Sequence, residues 1–187
     1  MKKMLEELES CPIIAAVKDD EGLQECIHSE SSMVFILYGD ICSIGDIVKT
    51  IRDAGKRAIV HMDLIQGLSP REAALEYLKK ATLADGIITT RPALIHKARE
   101  LGFFTVLRFF VIDSLAYENI EKQTAAVRPD VVEILPGLMP KVIRQVKRSI
   151  RRPVIAGGLI SEKEDILAAL DAGAAAISTT NKRVWFM

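Results

Sequence analysis

Five ionisable side chains stand at or near the ends of short apolar runs: Lys18, His61, Asp63, Arg108 and Glu133. Two carboxylates, two cations and an imidazole in one cavity would suit a small polyol phosphate, the carboxylates accepting hydroxyl protons and the cations neutralising phosphate. The same set would equally serve as a general acid and base pair. A second signal is Ala156-Gly157-Gly158-Leu159, followed later by Ser178-Thr179-Thr180. Glycines let backbone N–H groups approach an anion, and a helix N-terminus adds unpaired donors and a favourable dipole. Taken singly, the Gly-Gly is a tight turn and the Ser-Thr-Thr a helix cap; coupled, they read as a phosphate cradle.

These residues meet only if the chain gathers them. Apolar runs cover Ile13 to Val17, Met33 to Tyr38, Ala58 to Met62, Gly86 to Thr89, Phe103 to Phe109, Val131 to Leu135, Val154 to Ala156 and Ala175 to Ser178. Between them lie helical patterns, with Ser69 as a cap before Pro70 and Ser161 as a cap before Glu164. Turns such as Asp53-Ala-Gly55, Leu101-Gly102 and Asp171-Ala-Gly173 precede the strands. Alternating strand and helix predicts a parallel sheet covered by helices, and the count of eight favours closure over an open, doubly wound sheet. At 187 residues the chain is shorter than the roughly 250 typical of such barrels. The expectation is a compact eight-stranded parallel (β/α) TIM-type barrel with some helices shortened, one domain over residues 1–187, closed by Asn181 to Met187.

In a barrel the functional face lies at the C-terminal ends of the strands. Strand alternation puts Val60 and Met62 toward the helices and leaves Ile59, His61 and Asp63 facing the lumen. Glu133 shares its face with Val131 and Leu135, Lys18 follows Ile14 and Ala16, and Arg108 lies near the end of the fifth run. All five converge on one mouth. The bland alternative for any one of them is a paired structural charge inside the barrel.

Lysine and arginine total 25, as do aspartate and glutamate, so nothing about the whole surface advertises a nucleic acid or an anionic membrane. The exception is local. From Lys141 to Arg152 the chain carries Lys141, Arg144, Lys147, Arg148, Arg151 and Arg152 and no acid, leaving 19 cations against 25 acids elsewhere. At helical spacing Val142, Ile143, Val146 and Ile150 form the buried side and the cations an exposed stripe, which points to a polyanion contact over an ordinary solvated face. Three cysteines without a CxxC pair argue against a disulfide framework and for a cytoplasmic location, and no apolar run reaches the roughly 20 residues that span a bilayer. No cofactor or metal is expected, and a homo-oligomer is left open.

Spaced segments across nearly the whole chain resemble the glycerol uptake operon antiterminator regulatory proteins. They include Pro12-Ile-Ile-Ala-Ala-Val-Lys18, Gly39-Asp-Ile41, His61-Met-Asp-Leu-Ile-Gln-Gly-Leu-Ser69, Asp85-Gly-Ile-Ile-Thr-Thr-Arg91, Arg108-Phe-Phe-Val-Ile-Asp-Ser114, Pro129-Asp-Val-Val-Glu-Ile-Leu-Pro-Gly137, Ile155-Ala-Gly-Gly-Leu-Ile160 and Ala176-Ile-Ser-Thr-Thr-Asn181. The resemblance implies a non-catalytic barrel that senses glycerol 3-phosphate and binds a leader mRNA so that a terminator hairpin does not stop transcription of glycerol genes. It also implies a ligand site lined by the His61 to Ser69 stretch, Arg108, Asp113, Glu133, Gly157, Gly158, Ser178 and Thr179. Gln66 departs from an expected acidic residue and Thr180 from an expected serine. No aromatic stacking platform for single strands accompanies the basic stretch. The rival reading is an isomerase, epimerase or aldolase of a small sugar or triose phosphate. It would use Asp63 and Glu133 for proton transfer or Lys18 as nucleophile.

Overall fold

The computed structural model describes residues 2–187, and its eight parallel strands close in sequence order from β1 round to β8. The strands are β1 (Ile13–Val17), β2 (Met33–Ile36), β3 (Arg57–His61), β4 (Gly86–Thr89), β5 (Phe104–Phe110), β6 (Val131–Leu135), β7 (Val154–Gly157) and β8 (Ala176–Thr179). A helix precedes the first strand, α1 (Lys2–Ser10). The others follow the strands in turn: α2 (Asp20–Cys26), α3 (Ile44–Asp53), α4 (Glu72–Ala81), α5 (Pro92–Glu100), α6 (Ser114–Val127), α7 (Pro140–Ser149) and α8 (Lys163–Asp171). A 3-10 helix, Lys182–Phe186, follows β8. The expected shortening is concentrated in α2 and in that last turn.

Alternation sorts the strand residues as the period-two reading requires. Ile14, Ala16, Phe35, Ile59, Val106, Val131 and Ile155 share the inner cluster, while Val60, Met62, Val132 and Ile134 pack under the helices. Met4 and Leu8 of α1 join the inner cluster, so this helix plugs the floor. Its seat is held by ions at the N-terminal ends of the strands. Arg57 Nε donates to Glu7 at 2.8 Å, and Asp85 accepts from Arg52, from Arg57 and from the Ala58 backbone. At the seam, Ile14 of β1 pairs with Ser178 of β8. Trp185, 2% exposed, packs there and donates from its indole to the Thr179 carbonyl at 2.8 Å.

Three helix boundaries differ from the sequence expectation. α4 begins at Glu72 with Arg71 at its N-cap, because Arg71 N–H turns back to the Ser69 carbonyl at 2.7 Å and keeps Ser69 and Pro70 in the loop. α8 is capped one residue later than expected, by Glu162, with the Asp165 carboxylate accepting from the Ser161 and Glu162 N–H groups. The basic helix stops at Ser149. Ile150 is already extended (φ −110°, ψ 146°), and Pro153 disfavours helical backbone at Arg152, so Arg151 and Arg152 lie beyond the helix.

Candidate functional site

Arg108 and Glu133 are register partners on β5 and β6, so their side chains leave the sheet on the same side, into the lumen. Arg108 Nε donates to Glu133 Oε2 at 2.6 Å, and Ser178 Oγ on β8 donates to the other carboxylate oxygen at 2.5 Å. Glu133 is fully buried and Arg108 nearly so. A side chain at residue 157 would intrude: a Cβ on Gly157 would lie 2.5 Å from Glu133 Oε1 and 2.7 Å from Ser178 Oγ. Glycine at 157 therefore makes room for a carboxylate that ties β5, β6 and β8 together. Four of the expected site residues form one buried unit, with both Glu133 oxygens engaged inside the protein.

His61 ends β3 on the same lumen face and is 3% exposed. Its Nδ1 has no hydrogen-bond partner and lies 3.9 Å from Asp63. Burial, reinforced by the positive charge of Arg108 and opposed by Asp63, pushes its pKa from 6.5 down to about 4, so the imidazole is neutral at neutral pH. Asp63 is committed to the next loop, accepting from the Thr89 and Thr90 hydroxyls and from Thr90 N–H at 2.7 Å. Arg91 stands 3.7 Å away. This Thr-Thr-Arg clasp was in the sequence, yet nothing local marks its carboxylate partner 26 residues earlier.

Lys18 is exposed one residue past β1, without an ion-pair partner among the described residues. Asp113 is the N-cap of α6 and accepts from Ala116 N–H at 2.7 Å, so helix capping explains its type. Gln66 holds its place through backbone bonds, N–H to the Gly39 carbonyl and carbonyl to Ile41 N–H.

The phosphate cradle is narrower than the sequence implied. Asp165 already accepts from the Ser161 and Glu162 N–H groups that lead into α8, and Asn181 Oδ1 accepts from Arg183 N–H in the last helical turn. The Thr179 hydroxyl is taken as well, donating to the Ile160 carbonyl and accepting from Asn181 N–H. Among the described residues, the N–H groups of Gly158, Leu159 and Thr180 have no protein acceptor. Gly158 and Leu159 are both left-handed (φ 77° and 64°), a strained state for leucine that turns this loop back on itself. Donors left for an anion therefore include those on the loops after β7 and β8.

On α7, Ile143 and Val146 are buried and Lys141, Arg144, Lys147 and Arg148 exposed. Surface cavities of about 550, 500 and 580 Å³ run along the groove between α6 and α7, outside the barrel, and share Tyr117, Glu121 and Ser149 between neighbours. Of the expected ligand-site residues, Asp113 lines one of these cavities, and Lys18, His61, Asp63, Arg108 and Glu133 line none of the three.

Residues 13–185 match the family model described as glycerol-3-phosphate responsive antiterminator. The chain belongs to this family. It is 49% identical to the Escherichia coli K12 protein YgcP over 182 residues, 97% of this chain and 95% of that one. Its fold superposes on a glycerol uptake operon antiterminator regulatory protein from Listeria monocytogenes with a TM-score of 0.89 at 32% identity, covering 92% of this chain and 94% of that one. An antiterminator-related protein from Thermotoga maritima gives 0.82 at 38% identity, covering 95% and 99%. Enzymes with the same architecture fall below 25% identity and speak to the fold alone. Within the antiterminator barrel, sequence reasoning missed the Asp63 clasp, whose setting is tertiary.

Proposed function

We propose that the protein is a glycerol 3-phosphate sensor that, when loaded, contacts a leader mRNA through the basic face of α7 and promotes antitermination of glycerol genes. The observation that carries this reading is the family match over residues 13–185, a span that takes in every strand. The mouth supplies compatible chemistry. The free N–H groups of Gly158, Leu159 and Thr180, with Lys18 on the neighbouring strand end of β1, suit a phosphate. The unpartnered His61 Nδ1 suits a glycerol hydroxyl.

A ligand shifts the RNA-competent state only as far as it prefers that state. The loops after β7 and β8 are the elements it would order, and α8 between them packs on α7. The enzyme reading has less to stand on. Both Glu133 oxygens are engaged, and Asp63 is held by four groups on one loop. The buried Lys56 donates to the Ser29 and Ser31 carbonyls, outside the mouth.

Calorimetry with glycerol 3-phosphate, glycerol and inorganic phosphate tests the pocket. The phosphate ester binds and the two fragments bind far more weakly, since neither spans the cradle and His61 together. No heat with glycerol 3-phosphate, or equal affinity for inorganic phosphate, removes the reading.

A further inference from the structure

The RNA-contacting role proposed for α7 leaves Arg128 unaccounted for. It is the C-cap of α6 and adopts the left-handed conformation (φ 51°, ψ 60°), where glycine or asparagine is the usual occupant. For a residue with a side chain this conformation carries an energetic cost, and such costs cluster at functional sites. Arg128 lines the cavity of about 580 Å³ between the C-terminal ends of α6 and α7, together with Thr124, Ser149, Arg151, Arg152 and a single acid, Glu121. Arginine ion pairs in the structure are made by Arg52, Arg57, Arg91 and Arg108. Among the described residues, Arg128, Arg151 and Arg152 have none. Thr124 is 5% exposed and its hydroxyl has no hydrogen-bond partner, an unmet need in so buried a place. α6 contributes only Ile120 and Thr124 as buried residues over its 14, so it stands off its neighbour and leaves this cleft open.

Three guanidinium forks and a buried hydroxyl around one cavity match the donors that recognise an oxyanion, and a bidentate phosphate best of all. The net charge of the lining is positive even after Glu121. Both helices run back from the mouth, so the cleft opens at the floor, the opposite end from the proposed ligand loops. Arg151 and Arg152 also continue the outer face of α7 beyond Arg144 and Arg148. From residue 144 to the last helical residue the rise is roughly 8 Å, and Arg151 lies further on. A repeating polyanion can meet that stripe and the cleft together, which a lone phosphate ester cannot.

We infer that this cleft seats a backbone phosphate of the bound RNA strand, held by Arg128, Arg151, Arg152 and the Thr124 hydroxyl. The inference rests on the RNA reading above and adds to it a defined anchor and a direction, with the strand running down α7 to the floor.

Arg128→Gly tests it cleanly, because the substitution removes the cation while suiting the left-handed backbone, so the thermal midpoint holds or rises. Fluorescence anisotropy with leader RNA, at saturating glycerol 3-phosphate and several salt concentrations, reads the effect. Affinity falls roughly tenfold, and the slope of log affinity against log salt drops by about one. Tripolyphosphate, titrated calorimetrically, serves as an RNA-free probe and binds in an Arg128-dependent way. Unchanged RNA affinity in Arg128→Gly, alongside weakened binding in Arg144→Glu/Arg148→Glu, overturns the anchor and leaves the RNA reading standing. Binding of tripolyphosphate but of no RNA overturns the assignment of the phosphate to RNA; binding of neither overturns cleft and reading together.

Discussion

Burial and the neighbouring Arg108 hold the His61 imidazole neutral, and this fixes the sign of a pH effect. Its pKa is about 4 in the fold and 6.5 in the unfolded chain. In that window the unfolded chain binds the proton and the native state does not. The stability tied to the neutral ring is therefore complete above 6.5 and is lost as pH falls toward 4. Urea denaturation followed across this window shows a decline in the native protein that is shallower in His61→Gln; equal slopes would show that the ring is not held neutral. The lumen placement of His61 and Glu133 was legible from strand alternation, and that of Arg108 from its position near the end of the fifth run. The use of Glu133 was not, because its partners Arg108 and Ser178 lie on strands 25 and 45 residues away, and no local pattern distinguishes a ligand-facing carboxylate from one consumed by a buried pair.

At the scale of elements, α7 is the clearest case of a pattern read directly, since Ile143 and Val146 at helical spacing already give the buried side and leave the cations outside. Its end was not, for the constraint comes from Pro153, downstream of the last helical residue. Charge reversal of the pair Arg144→Glu/Arg148→Glu weakens RNA binding and flattens its salt dependence, by about one unit of slope for each phosphate no longer neutralised. A nitrocellulose filter titration reads this. An unaltered slope would move the RNA elsewhere on the molecule. The C-terminal end of α7 lies at the floor, at the opposite end of the barrel from the loops after β7 and β8. Reversal near the floor therefore spares binding of glycerol 3-phosphate, measured by the same calorimetry.

For the whole molecule, the regular recurrence of eight apolar runs pointed to the closed barrel, since runs too short to form a core alone, separated by helices, have few other ways to bury both faces. The plug and the seam came from elsewhere. The apolar side of α1 is legible in its sequence, yet nothing there says that Met4 and Leu8 enter the lumen rather than meet another chain. Trp185 sits against β8 and next to Gly22 on α2, where a Cβ would meet its ring at 3.6 Å, in ordinary contact. Trp185→Ala removes a large buried side chain from the seam and lowers stability by about 3–5 kcal/mol. Denaturant midpoints would show it, and a drop of less than about 1 kcal/mol would mean the seam is held by the strand pairing alone.

The pairing of β1 with β8 also bears on synthesis. The strand that leaves the ribosome first is the one whose neighbour arrives last, so throughout translation Ile13 to Val17 present one unsatisfied row of amides and carbonyls, all but one of these residues buried once folding finishes. Such an edge invites pairing with other nascent chains. Crowded expression is therefore expected to favour aggregation through β1.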